Sequence, residues 1–355
     1  MGDVVIIKSG EKKWKEFVHW NSFFGFEEDE NLVKAIRYET FGPPELLQLR
    51  EVPKPVPKGH QVLVKVHAAS INALEWRRFT MPLIGLRLIS GGWFKPKDTA
   101  LGTDVAGRVE AVGEEVTRFK PGDEVFGCAH GSFAEFVLAR ETFLTFKPVN
   151  RSFSEAAAMP LAALTALQGI RCAGGIRAAQ EVLIQGASGG IGVFAIQLAK
   201  NAGAEVTAVC STRNLNFVLS QGADHVIDYT HENFTKNLKR YDLILAINGY
   251  QSLWAYRSAL KPQGVYVCVG GSAGQILQAL LFSKWFSQKD GKTMKNMGMT
   301  IINRGDLTQV SELLQTGTLV PVIDRSYPLT QTAQAFRSIL DTHAQGKIII
   351  EVFKD

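Results

Sequence analysis

Residues 181–200 read EVLIQGASGGIGVFAIQLAK: an apolar run, a glycine cluster and a second, longer apolar run. The first run has the length of a buried strand and the second the length of a helix. Small residues at 188–190 leave backbone N–H groups open to a pyrophosphate, and the following helix points its positive dipole end at it. Gly192 lets that helix pack close to the strand. The spacing differs by one residue from GxGxxG, so a tight strand–helix turn without ligand is the alternative.

The next apolar run, EVTAVC, ends at Cys210, and the residues after it indicate which dinucleotide binds. Sites that prefer NAD have an Asp or Glu here to hold the ribose hydroxyls. This chain has Ser211, Thr212 and Arg213 instead, two hydroxyls and a guanidinium that suit a 2′-phosphate. We therefore predict NADPH rather than NADH as the cofactor. The alternative is that Arg213 is a solvated loop charge.

The order of the runs indicates two domains of different class. Short strand-like runs separated by turn residues fill residues 33–153 and predict a β-rich domain. Over 154–319, apolar strands alternate with helical runs, including one helix over 154–170 and another near 232–238. This alternation predicts an α/β fold with a doubly wound parallel sheet. Residues 320–355 are strand-like again, and we expect them to rejoin the first domain.

Composition narrows the classes of function. The chain has 355 residues, a formal net charge of +5 and four cysteines without a CxxC pair. Its basic residues form no stripe of the kind that nucleic-acid binding needs, so no nucleic-acid partner is expected. Widely spaced cysteines argue against a disulfide framework and favour a reducing, cytoplasmic setting. We interpret residues 1–32 as an appended N-terminal segment.

Several motifs together resemble one known family. Residues 102–127, GTDVAGRVEAVGEEVTRFKPGDEVFG, resemble the GxDxxGxVxxxGxxVxxxxxGDxV segment of the medium-chain dehydrogenases/reductases. The glycine stretch and the closing GKIIIEV are similar too, and the nearest likeness is to the zinc-free quinone oxidoreductase (zeta-crystallin-like) branch. The resemblance implies a GroES-like catalytic domain interrupted by a Rossmann domain, an active site in the cleft between them, and a homodimer.

The resemblance also implies roles for matching positions. Residues expected to contact the pyrophosphate are Ser188, Gly189, Gly190, Ile191 and Gly192. Ser211, Thr212 and Arg213 would hold the 2′-phosphate, flanked by Tyr229. The nicotinamide half would meet Asn248 and the Val269–Gly270 turn, with Thr165 and Lys347 approaching from the other side.

The positions that hold zinc in relatives have changed. Zinc-dependent relatives use a Cys and the His of a GHE segment, whereas this chain has Asn72 and GTD, with Thr103 and Asp104 in place of His and Glu. A catalytic zinc needs three protein ligands, so we predict no metal. The nearby pair Cys128 and His130 is interpreted as packing.

Oxidising an alcohol needs a Lewis acid that stabilises the alkoxide, whereas reducing an already polarised acceptor needs only hydrogen-bond donors near its oxygen. We therefore expect hydride transfer from NADPH to a small lipophilic quinone or α,β-unsaturated carbonyl. Asn72 and Thr165 are the candidate catalytic residues, Asn72 as a hydrogen-bond donor to the acceptor oxygen, unless its amide only caps a turn. The alternatives are an NADP-dependent alcohol dehydrogenase and a non-catalytic NADPH-binding protein.

Two apolar stretches, residues 81–94 and 276–286, bear on substrate and partners. Helical spacing pairs Ile276 with Leu280 and Leu277 with Leu281 in the second stretch. Three interpretations stay open: packing against each other or across a dimer interface, a lid over the cleft, and contact with a membrane surface, which is the least favoured.

Overall fold

The structure is a computed structural model, and it describes residues 32–80, 96–287, 291–342 and 344–353. The predicted N-terminal segment, apart from Leu32, and the whole of the apolar stretch 81–94 lie outside the described residues. The described part contains the two expected sheets, one mostly antiparallel and one parallel.

The first domain is built on a seven-stranded sheet in the order β14-β15-β3-β4-β5-β7, with β6 paired to β3. A separate two-stranded sheet, β1-β2, accompanies it. The strands of this domain are β1 (Leu32–Arg37), β2 (Gln48–Pro53), β3 (Gln61–Ser70), β4 (Asp104–Val112), β5 (Glu124–Cys128), β6 (Phe136–Arg140), β7 (Leu144–Phe146), β14 (Ile323–Pro328) and β15 (Lys347–Glu351). The chain thus returns to this sheet after the second domain, because β15 pairs antiparallel with β3.

The second domain is a six-stranded, wholly parallel sheet in the order β10-β9-β8-β11-β12-β13. Its strands are β8 (Glu181–Gln185), β9 (Glu205–Cys210), β10 (His225–Asp228), β11 (Tyr241–Ala246), β12 (Leu260–Cys268) and β13 (Thr293–Asn296). The strand order reverses between β8 and β11, and ligands of such sheets bind at the carboxyl ends of the strands at that point. The predicted fold class is confirmed, whereas the boundaries at 153/154 and 319/320 stay predictions.

Nine helices lie in the described part of the chain: α1 (Ala73–Thr80), α2 (Phe153–Ala157), α3 (Pro160–Ala173), α4 (Gly190–Asn201), α5 (Leu215–Ser220), α6 (Leu253–Ser258), α7 (Ala273–Phe286), α8 (Arg304–Gln315) and α9 (Thr332–Thr342). Short 3-10 turns occur at Pro44–Leu46, Glu141–Phe143, Thr212–Asn214, Phe234–Lys236 and Leu329–Gln331. None of the helices in the described ranges is both long and apolar enough to cross a bilayer.

Two helix predictions need correction. The single helix expected over 154–170 is two helices, because Pro160 has no N–H to continue the hydrogen-bond ladder and instead begins α3. The helix expected near 232–238 is only the 3-10 turn Phe234–Lys236. The side chain of Asn233 caps this turn by accepting from the Thr235 N–H, and no apolar periodicity extends it.

Helix α7 has an unusual distribution of side chains. Its buried residues are Gln275, Ala279 and Ser283. The outward face is apolar instead, with Leu280 and Trp285 each 66% exposed. A surface helix normally buries its apolar stripe. In α7 the apolar stripe is instead exposed on the surface of the described structure.

Candidate active site and cofactor groove

A groove of about 390 Å³ opens at the carboxyl ends of the central parallel strands. Its lining includes Ser188 after β8, Ser211 after β9, Tyr229 after β10 and Asn248 after β11. Four of the residues that the sequence assigned to the cofactor therefore share one cavity. It lies at the switch point of the sheet, where a dinucleotide is expected to bind.

The glycine stretch forms the turn that its composition predicted. Gly186 has φ +82°, a conformation that L side chains rarely adopt. A Cβ on Gly192 would lie 2.4 Å from the Gly186 carbonyl oxygen, so only glycine permits this close approach of helix and strand. Helix α4 begins at Gly190 without a side-chain cap, which leaves its first N–H groups for a ligand. This arrangement suits a pyrophosphate.

Gly190 serves a purpose that the sequence did not indicate. A Cβ at this position would meet Lys347 Cδ at 2.6 Å, because the lysine stem lies across the loop. A parallel bridge between Gly189 and Gly346 holds the two segments together. The C-terminal strand of the first domain therefore packs directly on the candidate phosphate loop of the second.

The turn after β9 is held by Asn214, a residue that the sequence analysis did not single out. Asn214 is 3% exposed, and its Nδ2 donates to Ser188 Oγ at 3.0 Å and to Ser211 Oγ at 3.2 Å. Its Oδ1 accepts from Gln345 Nε2 at 2.9 Å. The amide thus joins the glycine loop, the β9 turn and the segment before β15. An asparagine in a turn is a common local signal, but these distant partners leave no mark in the sequence.

The structure modifies the predicted 2′-phosphate site. Thr212 Oγ1 donates to Asp228 Oδ2 at 2.5 Å, so its hydroxyl is directed at β10 rather than into the groove. Thr230 Oγ1 donates to the other oxygen of Asp228 at 2.7 Å. Arg213 is exposed in the 3-10 turn after β9. Ser211 and Tyr229, which is 60% exposed, line the groove, and the contact of Arg213 with a 2′-phosphate stays a prediction.

The expected nicotinamide end lies where the two domains meet. Val269 and Gly270 follow β12, and both of their N–H groups donate to the Ala246 carbonyl. The guanidinium of Arg77, on α1, donates to the Gly271 carbonyl at 2.9 Å. This hydrogen bond places α1 of the first domain against the end of β12.

Asn72, Asp104 and Lys347 form a buried polar cluster in the first domain. Lys347 Nζ donates to Asn72 Oδ1 at 2.5 Å and to Asp104 Oδ2 at 3.2 Å, and Asn72 Nδ2 donates to Asp104 Oδ2 at 2.9 Å. The side chains of Lys347 and Asp104 are 4% and 0% exposed. A buried ion pair with additional hydrogen bonds compensates the desolvation of both charges.

These contacts bear on two expectations. Asn72 does not present a free donor, because its Nδ2 already faces Asp104 and also lies 3.4 Å from Glu75 Oε1. Lys347 approaches the glycine loop with its stem, while its ammonium is paired with Asp104, so its contact with the cofactor stays a prediction. Both residues instead organise the charges behind the cleft.

Glu75 joins this cluster and is 2% exposed. Its pKa is raised to about 7, because burial and the neighbouring Asp104 charge outweigh the opposing effects of Lys347 and of hydrogen bonds to the carboxyl group. Burial also raises the pKa of the Cys128 thiol well above its usual range, helped by Asp104 and Glu75. This cysteine is therefore a neutral neighbour of the cluster.

Thr165 and His130 have partners elsewhere. Thr165 is 5% exposed, and its hydroxyl donates to the Leu161 carbonyl at 2.6 Å and lies 2.7 Å from the Thr300 hydroxyl. It therefore stabilises α3 against the segment after β13. His130 Nε2 lies 2.6 Å from Asp98 Oδ2 on a half-exposed surface.

Two family models match the chain: an alcohol dehydrogenase GroES-like domain over residues 58–149 and a zinc-binding dehydrogenase over residues 221–350. The chain is 32% identical over 339 residues to a chloroplast envelope quinone oxidoreductase homolog of Arabidopsis thaliana, covering 90% of this chain and 98% of the relative. A 2-methylene-furan-3-one reductase of Solanum lycopersicum is 34% identical over 338 residues, covering 90% and 79%. A solved quinone oxidoreductase from Coxiella burnetii superposes with a TM-score of 0.80 at 28% identity, covering 91% of this chain and 100% of that one.

The chain belongs to the quinone oxidoreductase branch of the medium-chain dehydrogenases/reductases. The resemblance predicted from residues 102–127 and the glycine stretch is therefore confirmed. As a member of this family the protein is an NAD(P)H oxidoreductase. The groove lies beside the uncapped start of α4 and suits the phosphate-bearing part of a nicotinamide dinucleotide, while the Val269–Gly270 turn lies outside the lining of the groove.

Zinc fits this medium-chain dehydrogenase/reductase poorly, although one of the family models is named for it. Asn72, Thr103 and Asp104 occupy the matching positions, and they supply an amide, a hydroxyl and one carboxylate rather than nitrogen and sulfur ligands. The Lys347 ammonium already lies 3.2 Å from the carboxylate. In the described ranges, no group of three or more His, Cys, Asp or Glu side chains is arranged to hold a metal ion.

A second buried hydrogen-bond network lies at the carboxyl ends of β8 and β12. The sequence analysis did not predict it. The Tyr256 hydroxyl lies 2.5 Å from Gln185 Oε1 and 2.8 Å from Gln275 Oε1. Gln275 Nε2 in turn donates to the Gly270 carbonyl at 3.2 Å. The available signals in the sequence were Gln185 at the end of an apolar strand and Gln275 near the start of a helix. Their partners could not be predicted, because the network joins residues of β8, α6 and α7.

Proposed function

We propose that this protein is an NADPH-dependent reductase that transfers hydride, without zinc, to an apolar quinone or α,β-unsaturated carbonyl. The observation that carries the proposal is the buried Lys347–Asp104–Asn72 cluster at the position of the metal site in zinc-dependent relatives. An ammonium in a hydrogen-bonded cluster is not a Lewis acid that can bind an alkoxide. Such a site favours acceptors that are already polarised, which are the classes that the tomato and Coxiella burnetii relatives are named for.

The preference for NADPH rests on the turn after β9. No carboxylate follows Cys210 where an NAD site would have one. Asp228, at the end of the neighbouring strand, has both oxygens engaged by Thr212 and Thr230, and the acid in the groove lining is Glu232. Arg213 and Ser211 then provide charge-assisted and neutral donors for a 2′-phosphate. Bound NADPH would supply the hydride. The protein would orient the cofactor and the acceptor beside the buried cluster, in which the charges of Lys347 and Asp104 compensate each other.

The first experiment measures NADPH and NADH oxidation by metal-stripped protein with a naphthoquinone and with an alkenal of similar size. We expect a saturated aldehyde from the alkenal and a preference for NADPH. Turnover of a simple alcohol with NADP⁺ would favour the dehydrogenase alternative instead. NADPH binding with no turnover of any acceptor would favour a non-catalytic binding protein.

Arg213→Ala tests the choice of cofactor. A hydrogen bond to a charged group contributes about 1.5–3 kcal/mol, so the Kd for NADPH should rise roughly 10- to 100-fold while the Kd for NADH stays unchanged. Arg177→Ala is the matched control. Arg177 is exposed and precedes β8, at the amino ends of the parallel strands, whereas the groove lies at their carboxyl ends. Equal affinity of the wild-type protein for both cofactors would contradict the assignment.

A further inference from the structure

Helix α7 presents a face of large apolar side chains to solvent. Five of them lie on one half of the helix cylinder and are between 38% and 66% exposed: Ile276, Leu277, Leu280, Leu281 and Trp285. The opposite half is buried through small or polar residues, among them Gln275, Ala279 and Ser283. A contiguous exposed apolar patch marks a contact with another protein, a ligand or a membrane.

The segment that runs beside α7 adds two exposed aromatic rings. Trp254, on α6, is 64% exposed, and its ring packs edge-on against Phe286 at a centroid distance of 5.1 Å. Tyr250 is 58% exposed and lies at the start of α7, where a Cβ on Gly274 would be 3.4 Å from its Cε2 atom. Trp and Tyr are enriched where an apolar medium meets water, because each combines a large ring with a polar N–H or O–H group. We call these two residues and the five on the helix the α7 surface.

Basic side chains accompany the α7 surface. Lys284 is exposed and lies in the middle of the apolar half of α7, one turn after Leu280. At the end of the helix, Arg257 Nε donates to the Phe286 carbonyl at 3.1 Å. Lys292 Nζ donates to the Arg257 carbonyl at 3.0 Å. Cations therefore lie both within the surface and at its end.

The chain segment that builds this surface is strongly basic. Residues 243–305 contain seven Lys or Arg residues and one acidic residue, Asp290, and so have a formal charge of +6, whereas the whole chain has +5. Lys261 is paired with Glu181 and Asp242, which lie outside the segment. Even with Lys261 set aside, six cations accompany a single acid. A surface of this charge attracts an anionic partner.

The sign of this charge separates the possible occupants of the α7 surface. A second copy would bring its own Lys284 and a segment of the same sign, and like charges oppose such a contact. The apolar stretch 81–94 contains Arg87 and no acid, so it too would add positive charge. A bilayer with anionic lipids instead offers an apolar layer for Leu and Trp side chains and negative headgroups for Lys284.

We propose that the α7 surface docks this protein on an anionic lipid bilayer. Helix α7 has 14 residues and is about 21 Å long, which is too short for a membrane span of about 20 residues. The helix therefore lies in the plane of the membrane surface, with Leu280, Leu281 and Trp285 inserted below the headgroups. The flexible stem of Lys284 lies among these apolar groups, while its ammonium reaches the lipid phosphates.

The test measures co-sedimentation of the full chain with mixed phosphatidylserine–phosphatidylcholine vesicles and with pure phosphatidylcholine vesicles. We expect wild type to bind the mixed vesicles at least about 5-fold more tightly, because each cation near an anionic surface contributes about that factor. Raising the ionic strength from about 0.1 M to about 1 M should weaken this binding, because it shortens the Debye length from about 10 Å to about 3 Å.

Two pairs of variants locate the contact. Leu280→Gln and Lys284→Glu should each weaken binding to the mixed vesicles at least about 5-fold while Tm stays unchanged, because both side chains are exposed. Leu238→Gln is the control for the first change, since Leu238 is 94% exposed before β11. Lys120→Glu, at an exposed lysine of the first domain, is the control for the second. Both controls should bind like wild type.

Several outcomes would overturn the inference. Wild type that stays in the supernatant with the mixed vesicles would do so, and this is also the result expected if residues 1–31 of the same chain cover the surface. Equal binding by Leu280→Gln and wild type would place the contact elsewhere. Equal losses in Lys120→Glu and Lys284→Glu would assign the binding to the overall charge of the protein. A lower sedimentation mass of Leu280→Gln without vesicles would assign the surface to a second copy. These readouts need neither NADPH nor an acceptor, so they are independent of the proposed function.

Discussion

The stem of Lys347 crosses Gly190 so closely that a Cβ on the glycine would lie 2.6 Å from Lys347 Cδ. The ammonium at the other end of that stem is 3.2 Å from Asp104 Oδ2. One side chain therefore touches the candidate phosphate loop and neutralises the acid cluster behind the cleft. The same side chain thus links the candidate phosphate loop of one domain to the acid cluster of the other.

Replacing Lys347 with Met should destabilise the protein strongly. The substitution leaves Asp104 buried without its cation, and breaking a buried pair in this way typically costs about 3–5 kcal/mol of unfolding free energy. Urea unfolding at pH 7 measures the loss. Lys239→Met is the control, because the Lys239–Glu205 pair is partly exposed and should contribute at most about 1 kcal/mol. Equal losses in the two variants would contradict the burial argument.

The stability of the protein should depend on pH through Glu75. Its pKa is about 7 when folded, against an ordinary value of 4.5, so the folded state holds this proton more tightly than the unfolded state. The unfolding free energy should therefore fall as the pH rises from about 4.5 to about 7, and then level off. The size of this contribution is about 3 kcal/mol. Comparing wild type with Glu75→Gln at each pH isolates it, and a constant difference between them across this window would refute the assignment.

Gly192→Ala should weaken both the fold and cofactor binding. Its Cβ would lie 2.4 Å from the Gly186 carbonyl oxygen and 2.5 Å from that of Ala187, and these are backbone atoms that cannot move aside cheaply. We expect a loss of about 1–3 kcal/mol, and a smaller rise in Tm on adding NADPH. Gly305→Ala, near the start of α8, is the control, because its Cβ would meet only Asn303 Oδ1 at an ordinary 3.5 Å. A Gly192→Ala protein with wild-type Tm would show that the loop has room to relax.

Substitutions on α7 should show that its apolar face contributes little to the fold. Leu280 is 66% exposed, so Leu280→Gln should change the unfolding free energy by no more than about 0.5 kcal/mol. Ala279→Gln points into the buried face and should cost at least about 1 kcal/mol. With stability unchanged, a lower sedimentation mass of Leu280→Gln would assign the face to a homodimer. A higher KM for long alkenals would assign it to a lid, and loss of vesicle binding to a membrane contact.

The sequence predicted the elements whose signals are local. The glycine stretch, the runs of the parallel sheet and the missing acid after Cys210 all depend on residues adjacent in the chain, and the structure places them in one groove. The family resemblance also made it possible to predict that the C-terminal strand returns to the first domain and that a cleft lies between the domains.

The remaining features depend on residues far apart in sequence. Thr212 was assigned to the cofactor, but its partner Asp228 lies on the neighbouring strand and takes the hydroxyl. Asn72 and Lys347 are separated by 275 positions and meet only because β15 pairs with β3. No pattern in the sequence shows which buried polar groups neutralise one another, because that depends on which strands pair within each sheet.

The position of β15 also has a consequence for how the chain is made. The six strands of the parallel sheet all lie between residues 181 and 296, so a nascent chain holds that whole sheet before residues 347–351 exist. Strand β3 can pair early with β4 and β6, but its pairing with β15 must wait for residues 347–351, and such distant pairings form slowly. A growing polypeptide would therefore reach a stage at which its Rossmann domain can fold while the ammonium of Lys347 is still missing from the acid cluster.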